Sequence, residues 1–151
     1  LTFFIMAPTF TNIYELVAIP YMNGEIQTPD ALDKASKEIK SFMVTNTRES
    51  DLSMFAEISG TQQFYSKEEI PFSIALPAFI TSELKTAFQI GFLLFLPFLV
   101  IDMVVASVLM SLGMMMLSPM LIALPFKILL FVLVDGWSMT VGSLVSTYIV
   151  Q

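Results

Sequence analysis

Residues 86–126 read TAFQIGFLLFLPFLVIDMVVASVLMSLGMMMLSPMLIALPF and contain a single ionisable side chain, Asp102. A membrane-spanning helix needs about 20 mostly apolar residues, and this stretch is about twice that length, so it predicts two helices. Gly113 and Pro119 are residues that favour turns, and they mark the reversal between the two helices. The stretch therefore predicts an apolar helical hairpin, which decides the fold.

The hairpin extends beyond this stretch in both directions, because a further apolar run follows it. We predict one arm from Pro77 to about Met114 and a second arm from about Pro119 to Val150. This assigns residues 77–151 to one hydrophobic helical segment, with a methionine loop near residues 111–119. The loop contains no lysine or arginine, so the positive-inside rule does not fix the orientation of the hairpin.

The first half of the chain is more polar and also predicts helices. Thr28, Pro29 and Asp30 are typical of a helix start, since they offer a hydroxyl acceptor, a first-turn proline and an acid near the positive end of the dipole. Apolar residues then recur at helical spacing, and Gly60 favours a helix end. Residues 9–76 are therefore predicted to form a charged helical segment.

The chain opens with LTFFIMAP, residues 1–8, an apolar run closed by a proline. It lacks the positive start and the small-residue cleavage site of a signal peptide. We expect it to be the tail of a preceding apolar helix, and the chain to be part of a longer protein. The predicted fold class is all-α and membrane-associated.

Composition excludes several classes of function. Hydrophobic residues make up 56% and charged residues 13% of the 151 residues, with no cysteine and no histidine. Disulfides, thiolate metal sites and histidine bases are thereby excluded. The net charge of −6 gives no footprint for nucleic acid, and no phosphate-binding glycine loop occurs. We predict no catalytic residues, no metal and no cofactor, and therefore a protein that is not an enzyme.

Three ionisable side chains in the apolar half are candidates for buried contacts: Asp102, Lys127 and Asp135. An unpaired charge in hydrocarbon costs several kcal/mol, so each should face protein or water. Folding the hairpin at about residue 116 brings Asp102 and Lys127 to within about one helical turn of the same level, which predicts an ion pair within the hairpin or between neighbouring copies. The pair could fix the helix register or form part of a proton or ion relay, and Asp135 is left for a subunit contact.

Two runs in the apolar half resemble the signature segments of the FliP family, the flagellar export-gate proteins related to the SctR subunits of virulence type III secretion. They are PAFITSELKTAFQIGF at 77–92 and LPFKILLFVLVDGW at 124–137. The intervening IDMVVASVLMSLGMMMLSP is also similar to that family. The residues that carry the motifs include Glu83, Lys85, Gly91, Pro125, Gly136 and Trp137.

The resemblance implies a structural subunit of the flagellar export channel. Several copies would assemble with FliQ and FliR homologues into a funnel-like complex of the bacterial inner membrane and flagellar basal body, and unfolded flagellar proteins would pass through it. Further export-apparatus and basal-body proteins would be partners. It also implies that residues of about 9–71 lie on the extracytoplasmic, periplasmic side, and that the hairpins can pack against one another instead of each crossing the bilayer. Trp137 could be an anchor at the membrane interface or a subunit contact, and the match of its motif to the family favours the subunit contact.

The triplet Met114, Met115 and Met116 has two interpretations. From composition alone, flexible thioethers fill an apolar turn, and metal coordination is disfavoured because no histidine or cysteine accompanies them. The resemblance implies instead that this loop projects toward a central channel, where copies from several subunits form a gasket.

Three alternatives to the flagellar channel subunit stay open from the sequence. The chain could belong to a virulence type III export gate, although ASVLM at 106–110 and SELK at 82–85 are more similar to the flagellar branch. It could be an ion-coupled membrane transporter that uses Asp102 and Asp135. It could also be a scaffold around a channel that other chains form.

Overall fold

The computed structural model describes residues 1–60, 66 and 69–148, and these residues form helices and connecting turns without a strand. The α-helices are α1 Thr2–Ile5, α2 Ala7–Ile13, α3 Ile19–Met22, α4 Thr28–Thr45, α5 Glu49–Ile58, α6 Phe72–Ser111, α7 Pro119–Leu133 and α8 Gly136–Ser146. A π-helical turn, Tyr14–Ala18, lies between α2 and α3. The all-α fold class is thus confirmed for the described residues.

The chain divides into two compact units. The first comprises Leu1–Lys85 together with the C-terminal residues from Tyr148, and the second comprises Thr86–Thr147. Helix α6 begins in the first unit and continues into the second. The predicted boundary after residue 76 lies inside α6, nine residues before the boundary between the two units.

The π-helical turn has its cause in Pro20. Proline lacks an N–H and its ring crowds the carbonyl four residues earlier, here that of Leu16. The chain widens by one residue at this point, and the N–H of Ile19 donates to the carbonyl of Tyr14, five residues back. The turn is therefore a local response to a proline inside a helical segment.

Helix α4 begins at Thr28 as predicted, but Thr28 is not its cap. Gln27 occupies the N-cap position in extended conformation, and Pro29 lies in the first turn. The Thr28 hydroxyl lies 3.3 Å from the hydroxyl of Tyr21. The prediction that Thr28 accepts from the orphan amides is wrong, because Thr28 is already the first helical residue and the N-cap position belongs to Gln27, which makes no side-chain capping bond.

A small apolar core holds the first unit together. Its buried members are Met43, Val44, Leu52, Ile70, Ile74, Ala75 and Ala78. Next to this core the Nη1 atom of Arg48 donates to the carbonyl of Ser82 at 2.8 Å, and the Arg48 backbone N–H donates to the Ser82 hydroxyl at 3.2 Å. These bonds tie the start of α5 to α6.

Both arms of the hairpin differ from the prediction. The first arm begins at Phe72 instead of Pro77, because Ile74 and Ala75 are buried in the core of the first unit and extend the helix toward its N-terminus. The second arm is not continuous to Val150: α7 ends at Leu133, α8 begins at Gly136, and the two helices are bent by 61°.

Candidate functional site

The structure brings Asp102 and Lys127 together on facing sides of the hairpin. The Nζ atom of Lys127 lies 2.6 Å from the Oδ1 atom of Asp102. The Lys127 side chain is 21% exposed and the Asp102 side chain 31%, and the Oδ1 atom of Asp102 itself is buried. The ion pair therefore neutralises a carboxylate that an apolar helix could not otherwise accommodate.

A second contact fixes the register of the two arms. The rings of Phe98 and Phe131 lie with their centroids 6.3 Å apart. Phe98 precedes Asp102 by four residues, and Phe131 follows Lys127 by four, so both contacts belong to one antiparallel register. They lie about one helical turn apart along α6 and α7.

The methionine loop, residues 112–118, connects α6 to α7, and helix-end signals define both of its limits. Gly113 has φ +71°, and the N–H groups of Gly113 and Met114 donate to the carbonyls of Met110 and Leu109. This pattern is a Schellman motif, which only a left-handed residue such as glycine closes without strain. At the other limit an extended Ser118 precedes Pro119, the first residue of α7.

The three methionines of the loop are exposed to different degrees. Met114 is 46% exposed, Met115 81% and Met116 100%. Within the second unit the triplet therefore does not fill the turn that carries it. The interpretation of the triplet as internal packing is wrong for Met115 and Met116, because the tight glycine turn leaves their side chains outside the hairpin.

A sharp corner joins α7 to α8 around Asp135. Asp135 adopts the left-handed conformation, with φ 51° and ψ 53°. A Cβ atom at Gly136 would overlap the ring of Phe131, so the ring occupies space that only glycine leaves open. Trp137 packs edge-on against the same ring, with centroids 5.4 Å apart, and is nevertheless 72% exposed.

The remaining motif residues do not form a common cluster. Glu83 accepts a hydrogen bond from the hydroxyl of Tyr148 within the first unit. Lys85, Gly91 and Pro125 are exposed on their helices. No group of three or more Asp, Glu, His or Cys side chains that could hold a metal occurs within residues 1–60, 66 and 69–148.

Sequence reasoning missed the surroundings of Tyr148. Its ring stacks on Phe42, with centroids 6.1 Å apart and an interplanar angle of 13°. Burial and the hydrogen bond to Glu83 raise the pKa of Tyr148 to about 12. Nothing in the pattern of the sequence points to a pairing between residues so far apart, and the sequence predicts Glu83 only as part of a family motif.

Helix α6 is long and apolar enough to cross a membrane, and only 6% of its most apolar stretch is buried. The bent pair of α7 and α8 meets the same criterion when the two helices are taken together. A long exposed apolar helix that is followed by a second, antiparallel apolar arm, with an ion pair between the two arms, is typical of helical membrane proteins.

Comparison with known proteins gives the family. The FliP family profile matches residues 1–144, and the chain belongs to this family. The chain is 60% identical to the flagellar biosynthetic protein FliP of Cereibacter sphaeroides over 148 residues, which cover 98% of this chain and 49% of that protein. It is 55% identical to the corresponding protein of Bacillus subtilis, over 98% of this chain and 67% of that protein.

A third relative, the FliP protein of Buchnera aphidicola subsp. Baizongia pistaciae, is 53% identical, with 98% of this chain and 41% of that protein covered. The chain thus spans about half the length of several relatives that it matches. The resemblance that the motifs at 77–92 and 124–137 indicated is therefore confirmed at the level of the family.

Proposed function

We propose that this chain is a non-enzymatic channel subunit of the flagellar type III protein export gate. The observation that carries the proposal is the exposed methionine loop at the tip of a hairpin whose register is fixed. Membership of the FliP family and the similarity to flagellar biosynthetic proteins of other bacteria support the flagellar branch.

In this proposal, copies of the chain assemble around a central channel and present Met114, Met115 and Met116 to it as a gasket. Methionine suits this role because it is apolar enough to exclude water and ions, and its unbranched side chain adapts to a passing polypeptide of any sequence. The full exposure of Met116 supports the proposal, since a gasket residue must be free of its own hairpin.

The ion pair would fix the position of the methionine loop along the axis of the hairpin. Asp102 and Lys127 lie on the two arms below the loop, and sliding one arm past the other would separate the two charges. The close contact with Lys127 favours a structural role over a relay.

The exposed apolar surface of the hairpin supports assembly with neighbours. Exposed large side chains run along α6, among them Phe88, Phe92, Val100, Met103 and Val104. Such a surface is stable only against lipid or other apolar helices. We propose that further copies and FliQ and FliR homologues cover it, in the inner membrane at the flagellar basal body, with unfolded export substrates as cargo.

The charged segment of about residues 9–71 would lie on the periplasmic side. Its most regular part is α4, which exposes Lys34 and Lys37 and buries Met43 and Val44. A helix of this kind packs one face on a small core and presents the other to water.

The test replaces Met114, Met115 and Met116 together by alanine in the full-length protein within its assembled complex. We expect normal assembly and an increased ion conductance through the complex in a planar bilayer. A matched control replaces by alanine Met22 and Met54, which are exposed on helices α3 and α5 outside the hairpin, and should leave conductance unchanged. Unchanged conductance of the loop variant, with normal assembly, would remove the gasket role.

A further inference from the structure

Met115 and Met116 form the tip of the methionine loop. The N–H of Leu117 donates to the carbonyl of Met114 at 3.3 Å, which closes a β-turn. Met115 and Met116 are the two central residues of that turn, and they are 81% and 100% exposed. They are the two most exposed of the eleven methionines of the chain. Their thioethers are therefore open to solutes that reach the loop.

The contacts that fix the hairpin lie away from these two side chains. The arms are joined by an ion pair and by an aromatic ring contact between α6 and α7. The loop itself is closed by backbone hydrogen bonds, at Gly113 and Met114 on one side and at Leu117 on the other. A chemical change confined to the thioethers of Met115 and Met116 therefore leaves the hairpin intact and alters only what its tip presents.

An exposed thioether is open to oxidation by hydrogen peroxide. The sulfur lone pair attacks one peroxide oxygen, the O–O bond breaks and an S–O bond forms. The proton of the transferred oxygen passes to the leaving hydroxide, so the thioether becomes a sulfoxide and the peroxide is reduced to water. The sulfoxide is polar, and methionine sulfoxide reductases convert it back to the thioether. Met43, buried in the core of the first unit, is shielded from the same reaction.

We propose that Met115 and Met116 are a methionine oxidation site, and that their oxidation by peroxide makes the export gate permeable to ions. The inference rests on the proposed gasket and names a chemical modification that regulates it. An apolar constriction blocks ions because water does not fill it. Sulfoxide oxygens accept hydrogen bonds from water, so the oxidised tip draws water into the constriction and ions follow.

Leucine is the substitution that separates the sulfur from the apolar character of the side chain. It replaces methionine at nearly the same volume and cannot form a sulfoxide. The test variant therefore combines Met115→Leu with Met116→Leu. The matched control combines Met22→Leu with Met54→Leu, which removes two exposed methionines on α3 and α5 and leaves the loop unchanged.

The experiment measures the ion conductance of the assembled complex of the full-length protein in a planar bilayer, before and after treatment with hydrogen peroxide. Peptide mass spectrometry maps the oxidised methionines in the same samples. We expect peroxide to raise the conductance of the wild type and of the control variant severalfold, in step with the oxidised fraction of Met115 and Met116. The double leucine variant should lose most of this response. Met43 should stay unmodified, because the protein remains folded.

Three results would overturn the inference alone. They are complete oxidation of Met115 and Met116 without a rise in conductance, protection of both residues from peroxide in the complex, and an equal response in the double leucine variant. The first two are measured on the wild type and do not depend on the assembly of a variant.

The alanine variant of the methionine triplet distinguishes this failure from failure of the proposed function. Raised conductance of that variant, together with a wild type that does not respond to peroxide, retains the gasket and removes only the oxidation site. Unchanged conductance in both experiments, with normal assembly, would remove the gasket and the oxidation site together.

Discussion

The ion pair between Asp102 and Lys127 makes a quantitative prediction about the stability of the hairpin. At 2.6 Å, Coulomb attraction is about 1.6 kcal/mol at the dielectric constant of water and about 6 kcal/mol at an effective value of 20. Both side chains are partly exposed, and desolvation offsets much of this attraction. We expect a net coupling free energy of about 1–3 kcal/mol.

The assay is a double-mutant cycle with Lys127→Met, Asp102→Asn and both changes together, measured by thermal unfolding of the detergent-solubilised full-length protein. Each single change leaves the remaining charged side chain without its partner. The sum of the two single-variant decreases in Tm should therefore exceed the decrease in the double variant. For a chain of this size, about 1 kcal/mol corresponds to about 2–4 °C. The double variant should therefore unfold several degrees above the temperature that additivity gives.

A second cycle on Asp33 and Lys37 is the control. That pair is 2.7 Å long, almost the same as the hairpin pair, but its side chains are 61% and 66% exposed. Solvent screens an exposed pair between neighbouring turns of one helix, so its coupling should be close to the limit of measurement. Equal coupling in the two cycles would refute the argument that burial between the arms makes the hairpin pair stabilising.

Two further predictions concern the corner and the C-terminal contact. Gly136→Ala places a methyl group against the ring of Phe131 and should destabilise the protein by about 1–3 kcal/mol. The control Gly142→Ala, with open space around the added methyl group, should be neutral or stabilising by up to about 1 kcal/mol. Equal changes in Tm for the two variants would contradict this prediction. Because the pKa of Tyr148 is about 12 when folded and 10.0 otherwise, its contribution to stability is complete below pH 10 and is lost as the pH rises toward 12. Tyr148→Phe should remove the most alkaline component of the tyrosinate absorbance titration, and Glu83→Gln should shift it toward lower pH.

The sequence was sufficient for the features that depend on local chemistry. Gly113 and Pro119 mark the turn between the two arms because each has a backbone preference that acts within a few residues. Gly60, with φ +74° two residues after the end of α5, follows the same logic. The contact between Asp102 and Lys127 could be anticipated because a hairpin of known turn position sets which residues face each other.

Features that depend on packing could not be read in the same way. The corner at Asp135 requires a left-handed aspartate, which few sequence rules would predict, and the ring of Phe131 over Gly136. The early start of α6 depends on the burial of Ile74, and the contact of Tyr148 joins residues distant in sequence. The gasket, the periplasmic segment and the subunit contacts stay predictions.

The antiparallel register of α6 and α7 has a consequence for changes in chain length. One residue added or removed between Phe98 and Ser111 rotates everything beyond it by about 100°, so that aromatic and charged partners would no longer meet. The same change within residues 112–118 alters only the span of the loop, whose closure cost grows slowly with length. The fold of the hairpin should therefore tolerate insertions and deletions at its tip and reject them in its arms, so a change in loop length moves the three methionines without disturbing the contacts that hold the two arms together.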